Sequence, residues 1–190
     1  MRPIRLLLPL LLCALALTAC APDRKPVQDA LDFRSELGAA EKCSFTAEVT
    51  ADCEGRVYRF AMDCSYEPKT GAAALTVTAP ETIAGVAARM EGETGALTFD
   101  GASLELGRSA GGRVSPMELP RLLGGAWTQA YIDAESPEGD GFLATYRSGY
   151  GEGELVVDTV FSADRTPLRC ELSADGEKAL SAEIKNFTLS

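Results

Sequence analysis

Residues 43–66 read CSFTAEVTADCEGRVYRFAMDCSY, and their period of two decides the fold. Cys43, Phe45, Ala47, Val49, Ala51 and Cys53 share one face of an extended chain, and Ser44, Thr46, Glu48, Thr50 and Asp52 share the other. A two-residue turn at Glu54-Gly55 folds the stretch into a hairpin. That turn sets Phe45 opposite Cys64, Ala47 opposite Met62, Val49 opposite Phe60 and Ala51 opposite Tyr58. Each pair is apolar and falls on one face, so the register is self-consistent.

Upstream, PVQDALDFRSELGAAEK (26–42) changes the period. Ala30, Phe33, Leu37 and Ala40 recur at spacings of three and four, which predicts a helix with a narrow apolar stripe. Downstream, short strands follow at AAALTVTA (72–79) and GVAARMEG (85–92). A second hairpin runs from ALTF (96–99) through Asp100-Gly101 into ASLELG (102–107). Near residue 115 the pattern is helical again. Ser115 is an N-cap, Pro116 takes the first helical position, Glu118 completes a capping box, and Gly124-Gly125 are the expected stop. The remainder reads as strands at 126–134, 141–148, 153–161, 166–174 and 178–189, with turns at Asp164-Arg165 and Asp175-Gly176. The expectation is a mainly β (α+β) domain over 29–190, with about eleven antiparallel strands, an N-terminal helix and a mid-chain helix.

The 190 residues hold 28 acidic and 18 basic side chains and no histidine. The acidic residues are scattered, which argues against nucleic acid, since that partner needs clustered Lys and Arg. Without histidine there is no Ser-His or Cys-His nucleophile pair and no His-ligated zinc. Glu152 and Glu154 flank glycines and read as solvated turn residues, not a catalytic carboxylate pair. PEGDG (137–141) lacks the spacing of a calcium loop and GGR (111–113) that of a phosphate loop. The chain is therefore expected to be no enzyme and to need no cofactor or metal.

The N-terminus has the secretory pattern. Arg2 and Arg5 precede an apolar run from Leu6 to Leu17, which is shorter than the roughly 20 residues a membrane span needs. Leu17-Thr18-Ala19-Cys20 resembles the bacterial lipobox, in which the cysteine is diacylated and becomes the first residue after cleavage. That resemblance implies a leader at 1–19, a lipid anchor such as palmitate on Cys20, and a tether over 20–28. The location it implies is the outer face of the cell membrane. The alternative is an ordinary signal peptide cut near Ala19 or Ala21, with a free Cys20. Once Arg2 and Arg5 leave with the leader, the net charge is near −12, which disfavours an electrostatic grip on anionic lipid. Cys43, Cys53, Cys64 and Cys170 remain. An even count in an oxidising compartment favours disulfides, with Cys43–Cys64 and Cys53–Cys170 the expected bridges.

The order of elements resembles the LolA/LolB/LppX superfamily of bacterial lipoprotein carriers. Two stretches carry the likeness: APETIAGVAARMEGETGALTFDGASLEL (79–106) and SADRTPLRCELSADGEKALSAEIKNFTL (162–189). The family resemblance implies an unclosed antiparallel half-barrel with helices on its concave face. It also implies an apolar cavity that takes acyl chains. Phe45, Val49, Tyr58, Phe60, Met62, Leu75, Val77, Met90, Leu97 and Phe99 would line such a cavity, or else form a dry core. Phe33 and Leu37 packed solidly into it would count against carriage. Gram-positive germination lipoproteins of similar build imply the other role, docking a cell-envelope or spore-germination protein. Trp127 is expected either to anchor the second helix or to gate the cavity mouth. Tyr146 and Tyr150 are candidates for a partner surface.

Overall fold

The structure, a computed structural model, describes residues 27–53, 56–92, 94–106, 114–151 and 153–190. The leader, Cys20, the tether before residue 27, the Glu54-Gly55 turn, residues 111–113 and Glu152 lie outside the described residues.

Helix α1 (Gln28–Ala39) leads into β1 (Cys43–Cys53) and β2 (Arg56–Tyr66). There follow β3 (Ala73–Ala79), β4 (Ala87–Glu91), β5 (Thr94–Phe99) and β6 (Ala102–Leu106). A 3-10 turn (Pro116–Glu118) opens helix α2 (Leu119–Gln129). Five strands complete the chain: β7 (Tyr131–Glu138), β8 (Gly141–Ser148), β9 (Leu155–Phe161), β10 (Pro167–Ala174) and β11 (Glu177–Leu189). All eleven strands form one antiparallel sheet in the order β6-β5-β4-β3-β2-β1-β11-β10-β9-β8-β7. Two meanders are thus joined where the last strand pairs with the first. The sheet does not close, and β6 and β7 are its edges. The β1–β2 register is the expected one throughout, from Phe45 opposite Cys64 to Ala51 opposite Tyr58.

One bulge fixes how the two meanders share a core. Between Thr46↔Lys185 and Ser44↔Thr188 the β11 strand carries an extra residue. Asn186 takes the left-handed conformation there, φ 53°, which Asn tolerates better than most side chains. The bulge turns Phe187 inward. Its ring lies 6.1 Å from those of Phe33 and Trp127 and 6.4 Å from that of Phe45. Without the bulge, strict alternation would point Phe187 away from the core.

Three of the four residues of the expected α1 stripe behave as their spacing predicts, whereas Ala40 lies just past the helix end in extended conformation and is half-buried. Ala30, Phe33 and Leu37 are fully buried on the sheet, and each large side chain so buried contributes about 1.5–3 kcal/mol. Ion and dipole contacts set the helix in place. Ala30 N donates to Glu135 Oε2 of β7 at 3.0 Å, placing a carboxylate at the positive end of α1. Arg34 Nε donates to Trp127 O at 2.8 Å and Arg34 Nη2 to Ala130 O at 2.6 Å, so one guanidinium caps the carbonyl end of α2.

The second helix departs from expectation. It does not stop at Gly124-Gly125 but runs on to Gln129, so Trp127 is helical and β7 begins only at Tyr131. The reason for a glycine at 124 is proximity. A Cβ there would lie 2.3–2.5 Å from three ring atoms of Tyr66. Gly124 lets α2 press onto β2. Ser115 does cap the preceding turn, its Oγ accepting from Met117 N at 3.3 Å.

The expected disulfides are not formed: Cys43, Cys64 and Cys170 are free and buried. Register explains both cases. Cys43 faces Tyr66 and Cys64 faces Phe45, so these two cysteines are diagonal neighbours. Such pairs sit about 7–8 Å apart, beyond disulfide reach. Cys170 pairs with Ala182, which pairs with Val49. Cys53 therefore lies two strands across and four residues along from Cys170, well over the span a bridge allows.

Candidate functional site

Concave-face residues line up in rows across the sheet. One row runs Phe45, Cys64, Leu75, Ala88, Leu97, Leu104. The next runs Ala47, Met62, Val77, Val86, Phe99, Ala102, with Val77 N donating to Val86 O at 2.8 Å. In the first row everything from Phe45 to Ala88 is buried, Leu97 is half-buried and Leu104 is 63% exposed. The second row ends with Phe99 44% exposed. The apolar face is continuous, but among the described residues its cover stops at β5.

What covers the centre is a set of rings. Phe33 packs at 5.7 Å from Trp127 and 4.7 Å from Phe161. Phe45 lies 6.0 Å from Trp127, and Phe142 stacks on Phe161 at 4.7 Å. Trp127 is fully buried and its Nε1 donates to Thr159 Oγ1 at 3.0 Å, so it anchors α2 and gates no opening. The Cys170 thiol donates to that same hydroxyl at 3.5 Å. Tyr146 is wholly buried, 5.9 Å beneath the Arg34 guanidinium, whereas Tyr150 is 95% exposed. Burial pushes the Cys43 thiol up to about 11 and Cys170 up to about 12, and it raises Cys64 and Tyr146 as well.

The ten side chains expected to line a cavity are thereby divided. Phe45, Val49, Met62, Leu75, Val77 and Met90 are core. Tyr58 and Phe99 are exposed, 45% and 44%, and with half-buried Leu97 and half-buried Phe60, which packs against the core, they form a corner between the β1–β2 hairpin tip and the β6 edge that no described helix covers. Leu104 completes that corner, and Ile83 and Val86 from the β3–β4 loop pack beside it against the core. Leu104 escaped the sequence reading, although its place opposite Leu97 in the β5–β6 hairpin would have revealed it. At this end β2 outruns its neighbour: β2–β3 pairing begins only at Ala61↔Ala79. The strand from Arg56 to Phe60 therefore stands free on that side.

A separate depression of about 370 Å³ lies on the opposite face of the sheet. Lys42, Ser44, Thr46, Asp63, Ser65, Thr76 and Asn186 surround it, and Thr46 Oγ1 donates to Asp63 Oδ1 at 3.2 Å. Among the described residues no cluster of three or more Cys, Asp or Glu is placed to hold a metal, and no helix is long and apolar enough to cross a membrane.

No protein-family model matches the sequence, and no curated protein matches it. Solved structures of similar fold exist. A LolA superfamily protein from Nitrosomonas europaea shares 9% identity at TM-score 0.45, covering 88% of this chain and 94% of its own. The lipoprotein LppX from Mycobacterium tuberculosis shares 12% at TM-score 0.43, covering 85% and 92%. The structure of the CwlD amidase from Clostridioides difficile in complex with the GerS lipoprotein matches at 15% and TM-score 0.45, covering 88% and 99%. The described residues of this chain form an unclosed antiparallel half-barrel of eleven strands with two helices.

Proposed function

We propose that this protein is a lipid-anchored, extracytoplasmic binding protein without enzymatic activity, and that it takes a hydrophobic or amphiphilic ligand on the open corner of its half-barrel. The observation that carries the reading is the run of exposure along the rows. An apolar sheet face continues from a sealed core through half-buried Leu97 and Phe60 into exposed Phe99, Leu104 and Tyr58. Contiguous apolar surface of this kind, flanked by polar residues, marks a binding surface. The ligand lies at the corner and not beneath the helices, because Phe33, Leu37 and Trp127 fill the centre. The lipobox-like Leu17-Thr18-Ala19-Cys20 supports the anchor, since two or three acyl chains hold a protein durably on a bilayer.

The experiment has two arms. Cys20→Ser should move the protein from the membrane fraction to the soluble one, and retention on the membrane would contradict the anchor. Native mass spectrometry of the chain from residue 20 on, carrying Cys20→Ser, should find an amphiphile bound at near-unit stoichiometry. Phe60→Glu and Leu104→Glu should abolish that binding while leaving the fold intact. A second reading, docking of a cell-envelope protein, is favoured by the filled centre. A protein that retains no amphiphile, and takes up none when offered, would turn the account to that reading.

A further inference from the structure

Resting on that reading of the corner, we infer that its ligand is an anionic amphiphile, held with the head group at Arg56 and the tail laid along β2 over Tyr58 and Phe60. The arginines single this position out. Arg34 is spent on helix carbonyls. Arg89, Arg121, Arg147, Arg165 and Arg169 each pair with a carboxylate. Arg56 and Arg59 are exposed and have no ionic partner among the described residues, in a chain whose charge is −10 even with the leader.

Register distinguishes the two. Arg56 faces Cys53 and so shares the concave face with Tyr58 and Phe60, whereas Arg59 faces Thr50 and belongs to the other side. A cation thus stands at one end of the apolar strip and on its face. From Arg56 to Phe60 this face runs four residues along β2, about 13 Å at about 3.3 Å each, the reach of a twelve-carbon tail. The guanidinium can accept a carboxylate or a phosphate through paired N–H donors.

The test holds the tail constant and varies the head. Dodecanoate, dodecyl phosphate, dodecanol and dodecyltrimethylammonium are offered below their micellar concentrations to the chain from residue 20 on carrying Cys20→Ser. That chain keeps every strand, both helices and the core. Binding is followed by equilibrium dialysis. The two anions should bind about three- to fivefold more tightly than the alcohol, the margin of an exposed charge pair, and the cation most weakly. Arg56→Gln should erase the margin and leave dodecanol binding unchanged, while Arg59→Gln should leave the margin in place. Unchanged Trp127 fluorescence would show that both variants are folded. Equal binding of all four heads, or equal effects of the two substitutions, would overturn the inference and leave the corner as an apolar site. Failure of all four to bind would overturn both the inference and the reading beneath it. A margin for phosphate alone would identify the head as a phosphate, and equal margins would admit a free fatty acid.

Discussion

Replacing Gly124 with alanine tests how closely α2 is pressed on the sheet. The added methyl carbon would fall 2.3 Å from Tyr66 Cγ, 2.4 Å from Cδ1 and 2.5 Å from Cδ2. Carbon atoms rest at about 3.5–4.0 Å, so ring and helix must separate by more than about 1 Å. Tyr66 has little freedom to give way. It is 2% exposed, and its Oη sits 3.3 Å from Thr128 Oγ1, one turn along the same helix. Overpacking of this kind costs about 1–3 kcal/mol. Alanine's better helix propensity returns about 1 kcal/mol. The overlap involves three atoms of a pinned ring, so the net loss should be about 1–2 kcal/mol. Gly125 is the internal control, because a Cβ there meets nothing within 4 Å. Gly125→Ala should gain up to about 1 kcal/mol. Urea unfolding followed by Trp127, the single tryptophan, should separate the two variants by about 1–3 kcal/mol. In midpoint temperature that is roughly 2–12 °C for a domain of this size. If Gly124→Ala were as stable as Gly125→Ala, the close seating of α2 on β2 would be refuted.

Three further outcomes follow from the packing. Phe33→Ala, which empties a site ringed by Trp127, Phe161 and Phe187, should cost about 3–4 kcal/mol, while Leu104→Ala, at 63% exposure, should change stability by no more than about 0.5 kcal/mol. Equal losses in urea titrations would mean that centre and corner are not distinct. Thr159→Val strands the buried Trp127 Nε1 donor and should cost about 1–3 kcal/mol, with a shifted indole N–H resonance in proton spectra; an unmoved resonance would contradict that hydrogen bond. The raised thiols of Cys43 and Cys170 give a pH dependence with a definite sign. The native state keeps protons that the unfolded chain releases above 9.0, so their contribution is complete below pH 9 and is lost as pH climbs through about 11 and about 12. The raised Tyr146 phenol acts in the same direction. Unfolding free energy should therefore fall across that window, with a shallower slope in Cys43→Ala/Cys170→Ala, and a flat curve would refute the burial of these groups.

The sheet was legible because its signal is local. Alternation in 43–66 set the face and register of the founding hairpin, and turn pairs such as Asp100-Gly101 and Asp175-Gly176 carry positive φ as their composition implies. The α1 stripe was legible for the same reason. The end of α2 was not, because Gly-Gly is a stop signal by propensity and only a distant contact, the ring of Tyr66, explains Gly124 inside a helix. The cysteine pairing failed on a similar ground. Evenness of count says nothing of how many strands lie between Cys53 and Cys170, which depends on β11 inserting between β1 and β10. The choice between cavity and core was closed to sequence as well. Phe45 and Phe99 alternate in the same way along their strands, yet one lies beneath Trp127 and the other beyond the reach of either helix. That difference belongs to where α2 sits, and no periodicity encodes it.

The central claim is that an acyl ligand rests on the uncovered corner and not beneath the helices. A diazirine-bearing dodecanoate, cross-linked to the protein by light and mapped by peptide mass spectrometry, tests this directly. The account predicts adducts within the corner, on Tyr58 and Phe60 first, lost in competition with unlabelled dodecanoate. Adducts concentrated on Phe33, Leu37, Trp127 or Phe161 would place the ligand in the centre and contradict it.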